Sequence, residues 1–268
     1  MIKNAIKIFM LTCAVSASAM PQTAVIPIVE LKTRGLLGGV RDGRWVPPSR
    51  IAPKTGSSFE FVLVGPTGVE EGGVTLAKQG ETEDVCQDFF RYEFDLQQDH
   101  GVAIGTAAKW DLLPRPVQKV DPNVAVYRAA VASFLKKKKI LKPVVKIAEA
   151  YRVDLEGDGV DEVVLSATYF RNGLSSSAAV GDYSFVLLRK ASGKVVTDYL
   201  LKGDFITRRI DFGAPTENRI SAIADLNGDG RLEIVLNGAY YEGEFAAAFE
   251  MRNGRPVEIK EFEIRCGV

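Results

Sequence analysis

The chain contains 268 residues, of which 46% are hydrophobic and 25% are charged, a composition typical of globular proteins. Its 34 lysines and arginines balance its 34 aspartates and glutamates, so it lacks the basic excess of nucleic-acid-binding proteins, and we expect no nucleic-acid partner. The only histidine is His100, which excludes zinc sites built on several histidines.

Residues 1–19 have the pattern of a signal peptide. Lys3 and Lys7 form a positive start, residues 8–15 a short apolar core, and residues 17–19 an Ala-Ser-Ala cleavage site. An amphipathic N-terminal helix is the alternative. The apolar run is too short to span a bilayer, and no later segment is apolar enough, so no transmembrane segment is predicted. We therefore predict a periplasmic or secreted protein.

The cysteine usage leaves one candidate disulfide. Cys13 would be lost with the signal peptide, which leaves Cys86 and Cys266. An oxidising compartment would allow these two to pair, whereas two buried free thiols are the alternative.

Residues 20–120 are rich in glycine and proline and lack helical periodicity, which predicts a β-rich domain of unknown topology. Asp42 and Gly43 form a hairpin signal, and the apolar and aromatic residues of 59–64 predict a strand. Residues 86–96 are aromatic-rich, which favours an extended segment.

Residues 121–142 are predicted to form a helix and a linker. Asp121 has the character of an N-cap, and Pro122 fits the first helical position. Apolar and small residues then recur at helical spacing, at Val126, Ala129, Ala130, Ser133 and Phe134. Lysines at 136–139 fit the last turn, where the helix dipole favours cations, and Pro143 prevents continuation. We expect this helix to cap or link the segment that follows.

Two nine-residue acidic loops carry most of the chemical information. The first loop comprises residues 154–162 and the second loop residues 225–233, with starting aspartates 71 residues apart. Oxygen-bearing side chains occupy positions 1, 3, 5 and 9, and a backbone carbonyl at position 7 is a further candidate ligand of a hard cation such as Ca²⁺. In the first loop these are Asp154, Glu156, Asp158, Val160 (carbonyl) and Glu162; in the second they are Asp225, Asn227, Asp229, Arg231 (carbonyl) and Glu233.

Neither loop is an EF-hand. An EF-hand loop ends with a glutamate at position 12 and continues into a helix. Here position 12 is Leu165 or Leu236, within β-branched runs that favour strands. A metal-free Asp-Gly turn is the other alternative for each loop.

Both loops lie in the same predicted order of strands. Residues 144–202 and 217–268 each contain four predicted strands, with the loop after the first strand and a hairpin joining the last two. This repeat, together with the motif D-x-[DN]-x-D-G-x-x-[DE], resembles the FG-GAP and VCBS repeats, the blade units of integrin-α-like β-propellers. The resemblance covers residues 144–268 only. It implies that the ten loop residues named above are calcium ligands, and Glu156 departs from it because it is longer than Asp or Asn.

The predicted fold is therefore mainly β, with a β-rich N-terminal domain, one linking helix and two four-stranded antiparallel blade-like units (residues 143–268). Two units cannot close a propeller, and the sequence leaves their packing open. We predict one or two structural Ca²⁺ ions in an exported, non-enzymatic binding or structural protein, and the resemblance implies a surface for protein or carbohydrate contact. The alternative is an exported hydrolase with a site among Asp84, Asp88, Glu93, Asp99 and His100.

Overall fold

The structure, a computed structural model, describes residues 24–51, 58–79, 86, 89–95, 98–209, 213 and 215–267, with the backbone alone for residues 70–79. The predicted signal peptide, Asp84 and Asp88 lie outside the described residues. The prediction of a mainly β fold with one α-helix is confirmed for the described part, where antiparallel strands form three sheets. No helix in these ranges is both long enough and apolar enough to cross a membrane.

The N-terminal sheet has seven antiparallel strands in the order β3-β2-β1-β7-β4-β5-β6. These are β1 (Ile26–Glu30), β2 (Leu36–Arg41), β3 (Arg44–Val46), β4 (Ser58–Val64), β5 (Val69–Gln79), β6 (Tyr92–Phe94) and β7 (Val102–Gly105). The predicted hairpin is confirmed, because Asp42 and Gly43 have φ of 51° and 70° between the paired strands β2 and β3. Positive φ at both residues is the signature of a type I′ turn.

The sheet of the first unit has five strands in the order β12-β11-β10-β9-β8. They are β8 (Gln118–Lys119), β9 (Ile147–Val153), β10 (Glu162–Tyr169), β11 (Tyr183–Ser192) and β12 (Val195–Phe205). The short strand β8 precedes the helix in the chain and extends the four predicted strands by one.

The sheet of the second unit is formed by β13 (Glu217–Ala224), β14 (Glu233–Tyr240), β15 (Gly243–Arg252), β16 (Arg255–Glu258) and β17 (Ile264–Gly267). The sequence predicts one continuous fourth strand over residues 257–264 of this unit, and that prediction was wrong. β16 and β17 pair with opposite ends of β15, and a 3₁₀ turn (Lys260–Phe262) separates them. That turn places the Phe262 ring in the core, where it meets Trp45 edge-on with 4.9 Å between ring centroids. Burial of this aromatic ring offsets the interrupted hydrogen-bond ladder.

The helix α1 (Ala125–Lys137) begins later than predicted. Asp121 is not its N-cap, because the Asp121 carboxylate accepts a hydrogen bond from the backbone N–H of Asn123 at 2.8 Å and so forms an Asx turn instead. The buried face is Val131, Phe134 and Leu135, whereas Val126 is 62% exposed. This face packs on the sheet of the first unit, so α1 caps that unit.

The second unit is the middle layer of the molecule, and its strands are buried on both faces. One face packs against the N-terminal sheet with small residues, namely Ala222, Ala224, Val235, Ala246 and Ala248. The other face packs against the first unit with larger residues, among them Ile223, Ile234, Leu236 and Phe249. Strands buried on both faces have continuous rather than alternating apolar sequences, which explains the run at residues 234–236.

A disulfide joins Cys86 to Cys266 on β17, with Cα atoms 5.2 Å apart. The bond connects residues 180 positions apart in sequence, so it holds the end of the second unit against the N-terminal half. Closing so long a loop removes much conformational freedom from the unfolded chain.

Candidate metal centre

Both acidic loops connect the first two strands of the repeated pattern, β9 to β10 and β13 to β14, and their backbones bend in the same way. Gly157 and Gly159 have φ of 74° and 81°, and the matching Gly228 and Gly230 have φ of 80° and 82°. Only glycine adopts this region without steric strain. The Asp-Gly pattern thus produces one bend twice.

In the second loop the acids turn inward and hold the bend. The two carboxylate oxygens of Asp225 accept hydrogen bonds from the N–H groups of Gly228 at 2.7 Å and Gly230 at 2.8 Å. Glu233, the first residue of β14, accepts one from the N–H of Leu226 at 2.8 Å. Asn227 and Asp229 each accept from the N–H two residues further on. All four predicted side chains of this loop therefore lie around one bend.

The first loop repeats these contacts. Asp154 accepts hydrogen bonds from the N–H groups of Gly157 at 2.7 Å and Gly159 at 2.9 Å. Glu162, the first residue of β10, accepts one from the N–H of Leu155 at 3.1 Å. Asp158 accepts from the N–H of Val160 at 2.9 Å. Glu156 alone turns away from the loop backbone, toward a neighbouring strand.

That neighbouring strand is β11, and it supplies a cation to the first loop. The Lys190 ammonium is ion-paired with Glu156 and with Glu162, the latter at 2.9 Å. Arg115 adds a second positive charge, since its Nε donates to the Asp154 carbonyl at 2.6 Å. The four candidate ligand carboxylates of this loop thus have two cations beside them within the chain, Lys190 and Arg115.

No such cation reaches the acids of the second loop among the described residues. The position that matches Lys190 is Glu250, because Val163 pairs with Arg189 as Ile234 pairs with Phe249. Glu250 forms an ion pair with Arg252 and accepts a hydrogen bond from Trp45 Nε1 at 3.3 Å. The place of Arg115 is taken by the neutral Trp110, whose Nε1 donates to the Asp225 carbonyl at 2.9 Å.

The two loops also differ in how deeply their side chains are buried. Asp225, Asn227 and Glu233 are at most 7% exposed. The Trp110 ring covers this loop closely, since a Cβ atom at Gly228 would lie 2.9 Å from it. In the first loop the matching Asp154 and Glu156 are only half-buried, whereas Glu162 is buried like Glu233. Positions 5 and 7 are exposed in both loops. The second loop is therefore the more buried one at positions 1 and 3.

The pKa shifts follow from this arrangement. Burial raises the pKa of Glu233 well above its ordinary value, and the nearby carboxylates of Asp229, Asp225 and Glu250 raise it further. Burial also raises the pKa of Asp225, although hydrogen bonds from Gly230 and Gly228 oppose this. The second loop therefore concentrates negative charge in a poorly solvated place.

The acids of the first loop are better compensated. Burial tends to raise the pKa of Asp154, but the backbone hydrogen bonds and Arg115 outweigh it, so that this pKa is lowered. Burial raises the pKa of Glu162 although Lys190 opposes it. The pKa of Lys190 is also raised, because its ion pairs with Glu156 and Glu162 outweigh its burial. The 2.9 Å ion pair between Glu162 and Lys190 therefore compensates the buried carboxylate.

The donor set of the second loop fits a hard cation. Among the described residues, no group of three or more His, Cys, Asp and Glu side chains is gathered closely enough to hold a metal ion as it stands. The loop oxygens face N–H groups, yet a carboxylate has about four lone-pair positions, and these acids use only part of them. Three carboxylates, the Asn227 amide oxygen and the Arg231 carbonyl are the oxygen ligands that Ca²⁺ takes.

The two loops are also connected to each other. The N–H of Leu232 donates to the Leu155 carbonyl at 2.9 Å, and the N–H of Asp225 donates to the Leu112 carbonyl at 2.9 Å. Residues 110–115 therefore run across both loops, with Trp110 on the second and Arg115 on the first. The sequence analysis did not identify these residues or Lys190. An alignment of the third strands of the two units would have shown that Lys190 and Glu250 occupy equivalent positions.

The candidate hydrolase residues are dispersed. Glu93 lies on β6, whereas Asp99 and His100 lie on the rim of a cleft of about 430 Å³ where the three sheets meet. His100 Nδ1 is 3.5 Å from Asp99 Oδ1, and both side chains are more than half exposed. Deeper in the cleft, the Glu149 carboxylate accepts hydrogen bonds from Tyr151 Oη at 2.9 Å and from the N–H of Ile220 at 3.2 Å. Lys32, Lys119 and Arg219 also line this cleft.

No protein-family model matches the chain, and no curated protein or solved structure matches it either. The FG-GAP and VCBS resemblance therefore rests on the two loops and the order of strands around them.

Proposed function

We propose that the protein is an exported binding or structural protein without enzymatic activity, in which a Ca²⁺ ion at the second loop stabilises FG-GAP/VCBS-like β-sheets. The observation that carries this proposal is that the buried Asp225 and Glu233 and the exposed Asp229 lie around one bend with no cationic partner among the described residues. Like charges held close together favour binding of a cation that neutralises them. Calcium is the proposed ion because its coordination is flexible and uses oxygen ligands only.

In this role the ion acts on structure. The second loop joins β13 to β14 in the middle layer, whose two faces form the cores shared with the N-terminal sheet and the first unit. An ion that binds only the folded loop stabilises the folded state by mass action. Calcium outside the cell would thus hold the layer on which the other two sheets pack.

The test is a calorimetric calcium titration of the full chain, with melting curves in calcium and in chelator. Asp229→Asn should remove the binding event and most of the calcium-dependent rise in melting temperature. Asp121→Asn is the matched control, because Asp121 is also exposed and also accepts a hydrogen bond from the N–H two residues further on, but lies outside the repeated loops. An unchanged titration of the Asp229 variant would remove the metal from this loop.

The cleft where the three sheets meet is the candidate contact site. A concave site of about 430 Å³ fits a small ligand rather than a flat protein surface. Its lining of charged residues, Tyr151 and Thr168 offers hydrogen bonds of both kinds, which favours a carbohydrate among the partners that the resemblance implies. Binding of the full chain to a panel of oligosaccharides tests this, with Arg219→Gln, at the rim, as the variant expected to weaken binding.

An exported hydrolase is the second candidate, and the observation that favours it is the position of Asp99 and His100 on the rim of the same cleft. The two candidates differ in what happens to a bound oligosaccharide. Recovery of the intact sugar supports the binding role. Cleavage that is lost in His100→Ala but kept in Asp42→Asn, a variant in the β2–β3 turn outside the cleft lining, would establish the hydrolase.

A further inference from the structure

We infer that the Lys190 ammonium occupies in the first loop the place that calcium takes in the second, so that the chain binds one divalent ion rather than two. This inference rests on the proposed function, because it assigns the ion to one of two similar loops. Its starting point is that the loops share their backbone hydrogen bonds but not their charge balance.

The position of Lys190 follows from the strand register. β10 pairs with β11 up to Val163 and Arg189, so Glu162 and Lys190 are the next residues facing each other. β14 pairs with β15 up to Ile234 and Phe249, which leaves Glu233 and Glu250 facing each other. Opposite charges across neighbouring strands attract, whereas like charges repel. The same site in the sheet is therefore a cation in one unit and an acid in the other.

Lys190 neutralises the acids of the first loop from a sheltered position. Its side chain is 16% exposed, and those of its partners Glu156 and Glu162 are 14% and 0% exposed. An ammonium has three hydrogen-bond donors and no acceptor. Like a metal ion, it therefore interacts with carboxylates through the lone pairs of their oxygens. A divalent ion in this place would have to displace Lys190 or lie beside its positive charge.

The inference also explains why position 3 differs between the loops. Asn227 is short and stays at the bend, where its side-chain oxygen accepts from the N–H of Asp229 at 3.0 Å. Glu156 is one methylene longer than Asp and reaches across to β11, where Lys190 meets it. The departure of Glu156 from the repeat pattern is thus matched by a lysine that is present only in the first unit.

The experiment counts calcium equivalents by calorimetric titration of the full chain. Wild type should bind one equivalent, and Lys190→Met should bind two, because the first loop regains uncompensated acids. Lys202→Met is the matched control and should still bind one. Lys202 also bridges two glutamates, Glu258 at 2.8 Å and Glu263 at 3.1 Å, but lies away from both loops.

The outcomes separate this inference from the proposed function. Two equivalents in the wild type, or one equivalent in both the wild type and Lys190→Met, overturn the inference and leave calcium at the second loop standing. No binding in the wild type but one equivalent in Lys190→Met supports the inference and removes the proposed ion. No binding in either protein overturns both. If Lys190→Met does not fold, the double variant with Glu156→Asn gives the first loop the residues of the second and is counted instead.

Discussion

The two acidic loops have the same backbone bend but different charge balances. Each uses an aspartate at position 1 to accept hydrogen bonds from two glycine N–H groups and a glutamate at position 9 to accept one from position 2. The first loop then receives Lys190 and Arg115 from within the chain, whereas the second receives Trp110 and faces Glu250. The bend itself therefore does not determine which cation neutralises it.

The difference also concerns dependence on the surroundings. A cation within the chain is always present, so the first loop should fold in the same way in any medium. A bound ion stabilises a fold only in proportion to its concentration relative to its dissociation constant. The second loop, to which we assign the ion, lies in the middle layer and buries Asp225, Asn227 and Glu233, and charges in a poorly solvated place interact more strongly than exposed ones.

The largest predicted effect concerns the Cys86–Cys266 disulfide, which has no counterpart in the first unit among the described residues. Replacing Cys86 and Cys266 with serine removes the bond that ties β17 to the N-terminal half, and for so long a loop we expect a loss of about 4 kcal/mol of unfolding free energy. Urea unfolding in calcium measures it. Cys13→Ser in the unprocessed chain is the control, and equal stabilities of all three proteins would show that the bond contributes nothing.

The second largest predicted effect concerns the ion pair between Lys190 and Glu162. Glu162→Gln should destabilise the protein by about 3 kcal/mol, because it leaves Lys190 partly buried with Glu156 alone. The loss should be the same in calcium and in chelator. Glu258→Gln is the control, since Lys202 keeps Glu263 and is more exposed. A loss that calcium abolishes would mean that the first loop also depends on the ion.

The effect of the matching substitution in the second loop on stability should have opposite signs in calcium and in chelator. Glu233→Gln removes a buried carboxylate that faces Glu250, so in chelator the variant should melt higher than wild type. In calcium it should lose most of the ion's contribution, which is about 2.7 kcal/mol at one hundred times the dissociation constant. Glu60→Gln, at an exposed strand position, should change neither value. A Glu233 variant less stable than wild type in chelator would show that this carboxylate needs no cation.

The smallest effect is the pH dependence, and it should also have opposite signs in the two loops. The pKa of Glu233 is raised in the folded state, so in chelator its contribution is present below about pH 4.5, its unfolded value, and is lost as the pH rises through the folded value. The pKa of Asp154 is lowered, so its contribution is present above its unfolded value and is lost as the pH falls through the folded value.

Calcium requires the deprotonated carboxylate, so the difference between melting temperatures in calcium and in chelator should grow as the pH rises above 4.5. The comparison is made on wild type and on Glu233→Gln, in which the growth should be smaller. A difference that stays constant with pH in the wild type would contradict the assignment of Glu233 to the ion.

Local features of the fold were predictable because neighbouring residues determine them. The turns at Asp42 and Gly43 and at Asn253 and Gly254 both have positive φ at both positions, as the dipeptides indicate. The start of α1 was mispredicted for a related reason. Asp121 has two local alternatives, an N-cap or an Asx turn, and the chain around it took the second.

Features that depend on packing were not predictable. The interruption between β16 and β17 follows from the space that Phe262 fills beside Trp45, on a strand more than two hundred residues earlier in the chain. Asp99 and His100, candidate hydrolase residues in the sequence, lie on the rim of a cleft that the sequence did not predict. Glu149 in this cleft lies on β9 and accepts hydrogen bonds from Tyr151 Oη and from the N–H of Ile220 on β13. Such neighbours are set by the stacking of layers, which a single sequence does not record.

The sequence by itself determined most strands of the two units, the two glycine-dependent bends and the acids that surround them, because these follow from the preferences of residues a few positions apart. Only the tertiary structure decided which bend receives a lysine and which faces a glutamate, because Lys190 and Glu250 reach the loops from another strand through the register of β11 and β15. The register between strands is a property of packed sheets, and it brings charged residues that are distant in sequence to facing positions on neighbouring strands.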